Sequence, residues 1–310
     1  MKKQLPKVAA IVLTLALLLI KDVILNETTP KIQDNDTPSS SSTITAPNQE
    51  GDLSEGLPEC KIIMIDCGQA DSILLTSDYF NVLVDAGESR DAADIRETLD
   101  SLGINKLDMV IATHPHADHI GGMQTIVENY NIDKLVMSPV GHTSKTYEKL
   151  VKAITEQNIS VEKAEVNKVY NLGDLKLTII GPCDTYNEDL NNNSVVAIAS
   201  YGEIDILLTG DAEVLAEKDY TKNLGEYNNK IEILKSGHHG SDTSSSDNLL
   251  DNINASVALI SCGVGNKYGH PKEKTLNKYT ERGMEVYRTD IHGNITITTN
   301  GINFVVEAEK

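Results

Sequence analysis

His114-Pro115-His116-Ala117-Asp118-His119 puts three imidazoles and a carboxylate into six residues. The chain has eight histidines, and three of them fall in this one stretch. The apolar run Leu107 to Ala112 precedes it, and Ile120-Gly121-Gly122 follows. That order reads as a buried strand, a ligand-rich loop and a helix start. Neutral imidazole and ionised carboxylate are donors that borderline divalent metals accept. A His-x-His pair places two rings on one side of an extended segment. The Asp-His that follows turns two more groups toward a second position, so the spacing suits a pair of ions. A single structural zinc would draw on short pairs of cysteines, and no cysteine lies nearby.

Further ligand types stand at the ends of other apolar runs. Thr209-Gly210-Asp211 follows Ile206-Leu207-Leu208. A carboxylate placed after a glycine can approach a site without steric hindrance and bridge two ions. Gly237-His238-His239-Gly240-Ser241 follows Ile233-Leu234-Lys235. One of this histidine pair is expected as a ligand and the other beside the ligands or on the substrate. His238 is favoured as the ligand because it emerges first from the strand. His270, in Gly269-His270-Pro271, either donates to a leaving group or is a plain turn residue. His142 and His292 have no supporting neighbours and read as surface residues. Asn193 and Ser194, in the run Asn191-Asn192-Asn193-Ser194, offer donors for substrate oxygens. Ser241, Thr243 and Ser244 form a hydroxyl-rich loop with the chemistry of a phosphate-holding turn.

The formal net charge is −19. An acidic surface repels polyanions, which weighs against a tight, processive grip on nucleic acid. It does not exclude phosphodiester chemistry, because divalent ions invert the local field. Cys60, Cys67, Cys183 and Cys262 contain no CxxC and are expected as small buried residues. Lys2, Lys3 and Lys7 precede the apolar run Val8 to Ile20, which Lys21 and Asp22 interrupt. A positive start and a short apolar core match an export signal. The absence of a small-x-small cleavage site favours an uncleaved anchor over residues 1–25. Residues 26–58, rich in Thr, Ser, Pro, Asn and Asp, are expected to form a disordered tether. Residues 59–310 are expected to fold as one α/β domain, with mixed strands and interleaved helices that allow two sheets with helices outside.

The pattern His114-x-His116-x-Asp118-His119 resembles the signature of the metallo-β-lactamase superfamily. The fuller set is similar to the hydrolase domain of the ComEC competence proteins. It comprises Asp66-Cys67-Gly68-Gln69-Ala70-Asp71-Ser72, Asp85-Ala86-Gly87, Asn192-Asn193-Ser194, Leu208-Thr209-Gly210-Asp211, His238-His239-Gly240-Ser241 and Tyr268-Gly269-His270-Pro271, with Arg288-Thr289-Asp290 and Gly293 near the end. The resemblance covers about Lys61 to Val306. It implies an αββα four-layer sandwich with a dinuclear site between the sheets. It implies His114 and His116 at one metal, Asp118 and His119 at the other, Asp211 bridging and His238 completing the second. The superfamily's usual further histidine before the bridging Asp is absent, since no His lies between His142 and His238. That departure leaves the His114/His116 ion under-coordinated and argues against β-lactam hydrolysis. ComEC couples this domain to many membrane-spanning helices; none is seen in this sequence, so DNA uptake by this chain alone is not expected.

The resulting expectation is an exported hydrolase holding two divalent ions, zinc or manganese, about 3.5–4 Å apart. Asp118 would orient the attacking hydroxide, and His239 or His270 would serve the leaving oxygen. The expected substrate is a phosphodiester, with single-stranded DNA as the family's choice and a choline or teichoic acid ester of the cell wall as the rival. A surface-attached binding protein with a vestigial site is the reading of another class. The expected partners are this substrate and, through the N-terminal segment, the membrane, on whose outer side the chain would sit. No protein partner is expected.

Overall fold

The computed structural model describes residues 44–45, 53, 55–186 and 189–310. The expected anchor and most of the 26–58 tether lie outside these residues. Within the tether's span, Ile44–Thr45 pairs with Val306 and Val305 at a sheet edge. The Leu57 N–H donates to the Asn300 carbonyl at 2.7 Å, and the Tyr201 hydroxyl donates to the Pro58 carbonyl at 2.7 Å. The last residues before 59 are therefore docked on the domain.

Alternating apolar residues on short strands, each flanked by a turn, build two sheets. The first contains β1 (Cys60–Met64), β2 (Ile73–Ser77), β3 (Phe80–Val84), β4 (Met109–Ala112), β5 (Leu135–Met137) and β6 (Val161–Lys163), side by side in that order. The second contains β7 (Val169–Leu172), β8 (Leu175–Gly181), β9 (Val196–Tyr201), β10 (Ile204–Leu208), β11 (Ile233–Lys235), β12 (Val257–Ile260) and β13 (Glu285–Arg288). The chain then returns to the first sheet with β14 (Ile295–Thr299) beside β1 and β15 (Phe304–Ala308) outside it.

The period-two pattern decides which residues meet. Ile62, Met64, Met109 and Ile111 face Leu177, Ile206, Leu208, Val257 and Leu259 between the sheets. Their neighbours Ile63, Val110 and Ala112 face outward, under α1 (Ala92–Ser101), α2 (Ala117–Ile120), α3 (Met123–Asn129) and α4 (Lys145–Glu156). On the other sheet Leu207, Leu234, Ala258 and Ile260 face α5 (Val214–Tyr220), α6 (Asp247–Leu250) and α7 (Glu273–Glu281). The result is the expected αββα sandwich. Strands buried on both faces read as continuous apolar runs, which is why the sequence located most of them within a residue or two.

The edge strands β6 and β7 were not anticipated. They expose most of their residues, so neither carries an apolar pattern. Cys183 departs from the expectation of burial: it is exposed, while Cys60, Cys67 and Cys262 are buried, and all four thiols are free. Among the described residues no helix is long and apolar enough to cross a membrane.

Strands β3 to β6 run parallel, as do β10 to β13. The carboxyl ends of β3, β4, β10, β11 and β12 thus deliver their loops to one edge of the sandwich. Every ligand-type residue singled out above lies in those loops or next to them.

Candidate metal centre

Local backbone geometry sets the donors. Asp85, directly after β3, has φ 58°. Its carboxylate accepts the Thr113 N–H at 2.8 Å and the Thr113 hydroxyl at 2.6 Å, pinning the start of the histidine loop. His116 is the N-cap of α2, whose single turn carries Asp118 and His119. Gly210 has φ +51°, and a Cβ there would sit 2.9 Å from Thr113 Cβ and 3.1 Å from Ser194 Cβ. Only glycine permits the approach that presents Asp211. His238 and His239 also have positive φ, 47° and 53°. That conformation is costly for a residue with a side chain, and it turns His239 inward and His238 to the rim.

Asp118, His119, Asp211 and His239 offer donor atoms that all lie within 4.8 Å of one another. His119 Nε2 is 3.3 Å from Asp211 Oδ2. His239 Nε2 is 3.6 Å from Asp211 Oδ2 and 3.5 Å from Asp118 Oδ2. The far nitrogen of each ring is already engaged. His119 Nδ1 lies 2.7 Å from Asp85 Oδ2, and His239 Nδ1 lies 3.0 Å from the Ser261 carbonyl. Such outer partners fix the tautomer and leave Nε2 as a lone-pair donor. His119 Nε2, His239 Nε2 and Asp211 Oδ1 are buried with no hydrogen-bond partner, an arrangement proteins avoid unless another ligand completes it. Asp71, Asp85, Asp118 and Asp211 carry four negative charges here, and the buried Lys235, 2.7 Å from Asp71 Oδ2, returns one. With the imidazoles neutral, as metal binding requires, the four carboxylates exceed the one lysine by three charges. Orphaned donors and charge deficit both fit divalent cations.

The position expected for His238 is taken by His239. His238 is a quarter exposed, its Nδ1 is 2.9 Å from Glu213 Oε1, and its Nε2 is 3.8 Å from Asp211 Oδ2. Order of emergence from the strand does not decide the ligand; the left-handed turn does. His114 and His116 lie alongside the four-donor cluster. Their Nε2 and Nδ1 atoms are 2.9 Å apart, and His114 Nε2 is 3.9 Å from Asp211 Oδ2. His114 and His116 thus flank Asp211 beside the four-donor cluster.

Three of the expected substrate residues have other work. The Asn193 carboxamide braces its own loop, accepting from Tyr186 N–H at 3.2 Å and donating to the Asp189 carbonyl at 2.6 Å. Ser194 Oγ accepts the Asp211 N–H at 3.1 Å and lies 3.3 Å from His114 Nδ1, so it positions donors. Ser241 Oγ is 2.8 Å from Thr243 Oγ1 inside its turn. In their place, Asn191 joins Gln69, His116, Asp118, His238 and His270 around a cavity of about 310 Å³ over the site. Sequence reasoning gave no roles to Asp71, Asp85, Lys235 and Glu213. The buried lysine in an apolar strand was the one available signal, since such a charge requires a partner.

The charges of this cluster control its titration. Burial opposes the charge on His239, but Asp211 and Asp71 outweigh it and raise the imidazole to about 10. Burial pushes Asp118 up, yet the hydrogen bond to His239 and the neighbouring imidazoles bring it down to about 2. Asp211 is held well below the usual carboxylate range by His119 and His239 against its own burial. A histidine raised above its ordinary value of about 6.5 stabilises the fold below that pH and loses the contribution as pH climbs to about 10. A lowered aspartate contributes above about 3.9 and loses it toward about 2. Chelator-treated protein should therefore melt highest between about pH 4 and 6.5. Its melting temperature should fall from pH 6.5 to 10, and a rise over that interval would contradict the charge balance described. Metal retention should run the other way, strengthening with pH as the rings lose protons.

Comparison with known proteins agrees with this geometry. Residues 65–264 match the model of the metallo-beta-lactamase superfamily. ComE operon protein 3 of Bacillus subtilis is 30% identical over 256 residues, covering 76% of this chain and 33% of that protein. Recombination protein 2 of Haemophilus influenzae is 27% identical over 245 residues, covering 77% of this chain and 29% of that protein. The chain thus spans about a third of the length of these relatives. The crystal structure of CmlA, a diiron beta-hydroxylase from Streptomyces venezuelae, superposes with a TM-score of 0.53 at 14% identity, over 77% of this chain and 54% of that one; it shares the fold. The matched segment carries the histidine loop, Asp211 and the His238-His239 turn together, and this chain belongs to the metallo-β-lactamase superfamily.

Proposed function

We propose that this protein is a metal-dependent phosphodiester hydrolase acting on DNA, held on the outer side of the membrane by residues 1–25. The observation that supports it most is the cluster of Asp118, His119, Asp211 and His239 with buried, unpartnered donor atoms. When bound, two divalent ions supply a nucleophile at neutral pH and charge for the transferring oxygens. His119 and His239 Nε2 with Asp118 and Asp211 would hold one ion; His114 and His116, sharing Asp211, would hold the other. The chain's own groups do the rest. Asp118, nearly a third exposed at its side chain, orients the attacking water at the cavity floor. His239 is enclosed among the donors and cannot reach a leaving group. His238, fixed through Nδ1 by Glu213, presents Nε2 to the cavity and donates the proton to the leaving oxygen. His270, lowered to about 4 by burial and by His238, is neutral at pH 7 and serves as a hydrogen-bonding group. The DNA assignment draws on the names of the relatives.

The full-length chain loaded with manganese or zinc should hold two equivalents of metal. It should cleave single-stranded DNA and bis-p-nitrophenyl phosphate. Preference for phosphorylcholine or glycerol-phosphate esters would move the assignment to cell-wall polymers. A loaded protein that turns over no phosphodiester would overturn it.

A further inference from the structure

The loop between β12 and α7, residues 261–272, stands beside the cavity and carries side chains that the hydrolytic chemistry leaves unused. Val264 is 83% exposed and Tyr268 is 52% exposed, which leaves both side chains open to a ligand at the cavity mouth. The loop is braced. Asn266 Nδ2 donates to the carbonyls of Gly263 and His270 at 2.9 and 2.6 Å. The His270 N–H donates back to Asn266 Oδ1 at 3.0 Å, and Lys272 Nζ donates to the Tyr268 carbonyl at 2.6 Å. The His270 ring stacks with Tyr268, centroids 5.8 Å apart and planes at 28°. Tyr268 is therefore an aromatic surface held at a set angle at the cavity mouth.

Beside it opens a groove of about 550 Å³ lined by Gln69, Arg90, Asp118, Val264, Lys267 and Tyr268. Gln69, Asp118 and Tyr268 also line the cavity over the donor cluster, so the two spaces are continuous. Lys267 Nζ lies 4.8 Å from the centroid of the Tyr268 ring. Neither Lys267 nor Lys272 has an acidic partner among the described residues; Lys272 is held by the Tyr268 carbonyl. Arg90 is the third cation, leaning on Glu88 and Asp91 at 3.3 and 3.4 Å. An aromatic ring flanked by cations is the combination that holds a single nucleic-acid strand: bases stack on the ring and phosphates meet the charges.

We propose that Tyr268, with Lys267 and Arg90, forms a nucleotide subsite that stacks the base flanking the scissile phosphate and selects single-stranded over duplex DNA. The proposal rests on the phosphodiesterase reading. A base can lie on Tyr268 only after leaving its neighbours in the helix, so a paired strand cannot use the platform without melting. Arg90 and Lys267 offer the strand local phosphate contacts in a groove that Glu88 and Asp118 also line, although the chain as a whole carries −19. The acidic remainder leaves little affinity for duplex away from the groove.

The test uses the full-length chain in detergent and an octanucleotide carrying 2-aminopurine, whose fluorescence falls when the base stacks. Binding is measured by titration in the presence of a chelator, so the readout does not depend on turnover. Wild type should quench the probe, and the matched duplex should bind more weakly. Tyr268→Ala should lose the quench and bind about tenfold or more weakly, within the range for one stacked base. Tyr268→Phe should restore both, because the ring remains. Lys267→Gln should flatten the salt dependence of binding. Thermal melts of each variant verify folding.

Several outcomes overturn the subsite. DNA cleavage by the wild type with undiminished probe affinity in Tyr268→Ala removes the platform while the hydrolase reading stands. Equal affinity for a glycerol-phosphate polymer, which has no bases, also overturns it. Tyr268-dependent quenching in a loaded protein that cleaves no phosphodiester supports the subsite and rejects the catalytic reading instead.

Discussion

Replacing Asp211 by alanine should abolish hydrolysis, with turnover down at least a thousandfold, on the order of the loss from removing a principal electrostatic group of an active site. Oδ2 of this one carboxylate faces four imidazole nitrogens, at 3.3 Å from His119, 3.6 Å from His239, 3.8 Å from His238 and 3.9 Å from His114. Its loss should reduce bound metal below two equivalents per chain. The fold should survive, because the inter-sheet core is built from residues such as Ile62, Met109, Leu177 and Val257 on the strands themselves. In the metal-free variant the decline in melting temperature between pH 6.5 and 10 should flatten, since the charge that raises His119 and His239 is gone. Metal analysis, turnover of bis-p-nitrophenyl phosphate and a pH series of melts check all three consequences. Two bound equivalents with wild-type turnover would dismiss Asp211 as the bridge.

The second large effect separates the adjacent histidines. His239→Ala removes a buried donor whose Nε2 faces both Asp118 and Asp211, and should cost one metal equivalent and nearly all activity. His238→Ala should keep both ions. It should lose activity chiefly in kcat, by about 10²–10⁴-fold, the span for a general acid. The loss should be small on bis-p-nitrophenyl phosphate, whose leaving group needs little protonation. It should be large on DNA, whose leaving alkoxide needs a proton. If His238→Ala rather than His239→Ala releases metal, the turn has been assigned the wrong way round.

The contrast between those two residues shows where sequence reasoning stops. Gly-His-His-Gly after an apolar strand announces a ligand turn, and the structure places His239 among the clustered donors and His238 at the rim. Which ring enters depends on two positive φ angles that no periodicity encodes. The same holds for Asn191 and Asn193. Both are loop amides in one run, yet only the coordinates show Asn193 bonded within the loop and Asn191 facing the cavity. The polar edge strands Val161–Lys163 and Val169–Leu172 were illegible for a different reason. A strand with both faces largely in water has no obligatory apolar alternation, and its pairing is set by the neighbouring strand.

Residues 107–122 by themselves determined the essentials: a buried strand that must end, three imidazoles and a carboxylate where it ends, and chemistry that only cations satisfy. Burial on both faces forced the other strands into apolar runs, so two covered sheets were also written in the composition of short segments. Tertiary structure decided the rest. It brought Asp71, Asp85 and Lys235 beneath the histidines and gathered more carboxylates than lysines there. Those groups come from separate strand ends, and no local pattern can report a charge balance that exists only once the chain has folded around it.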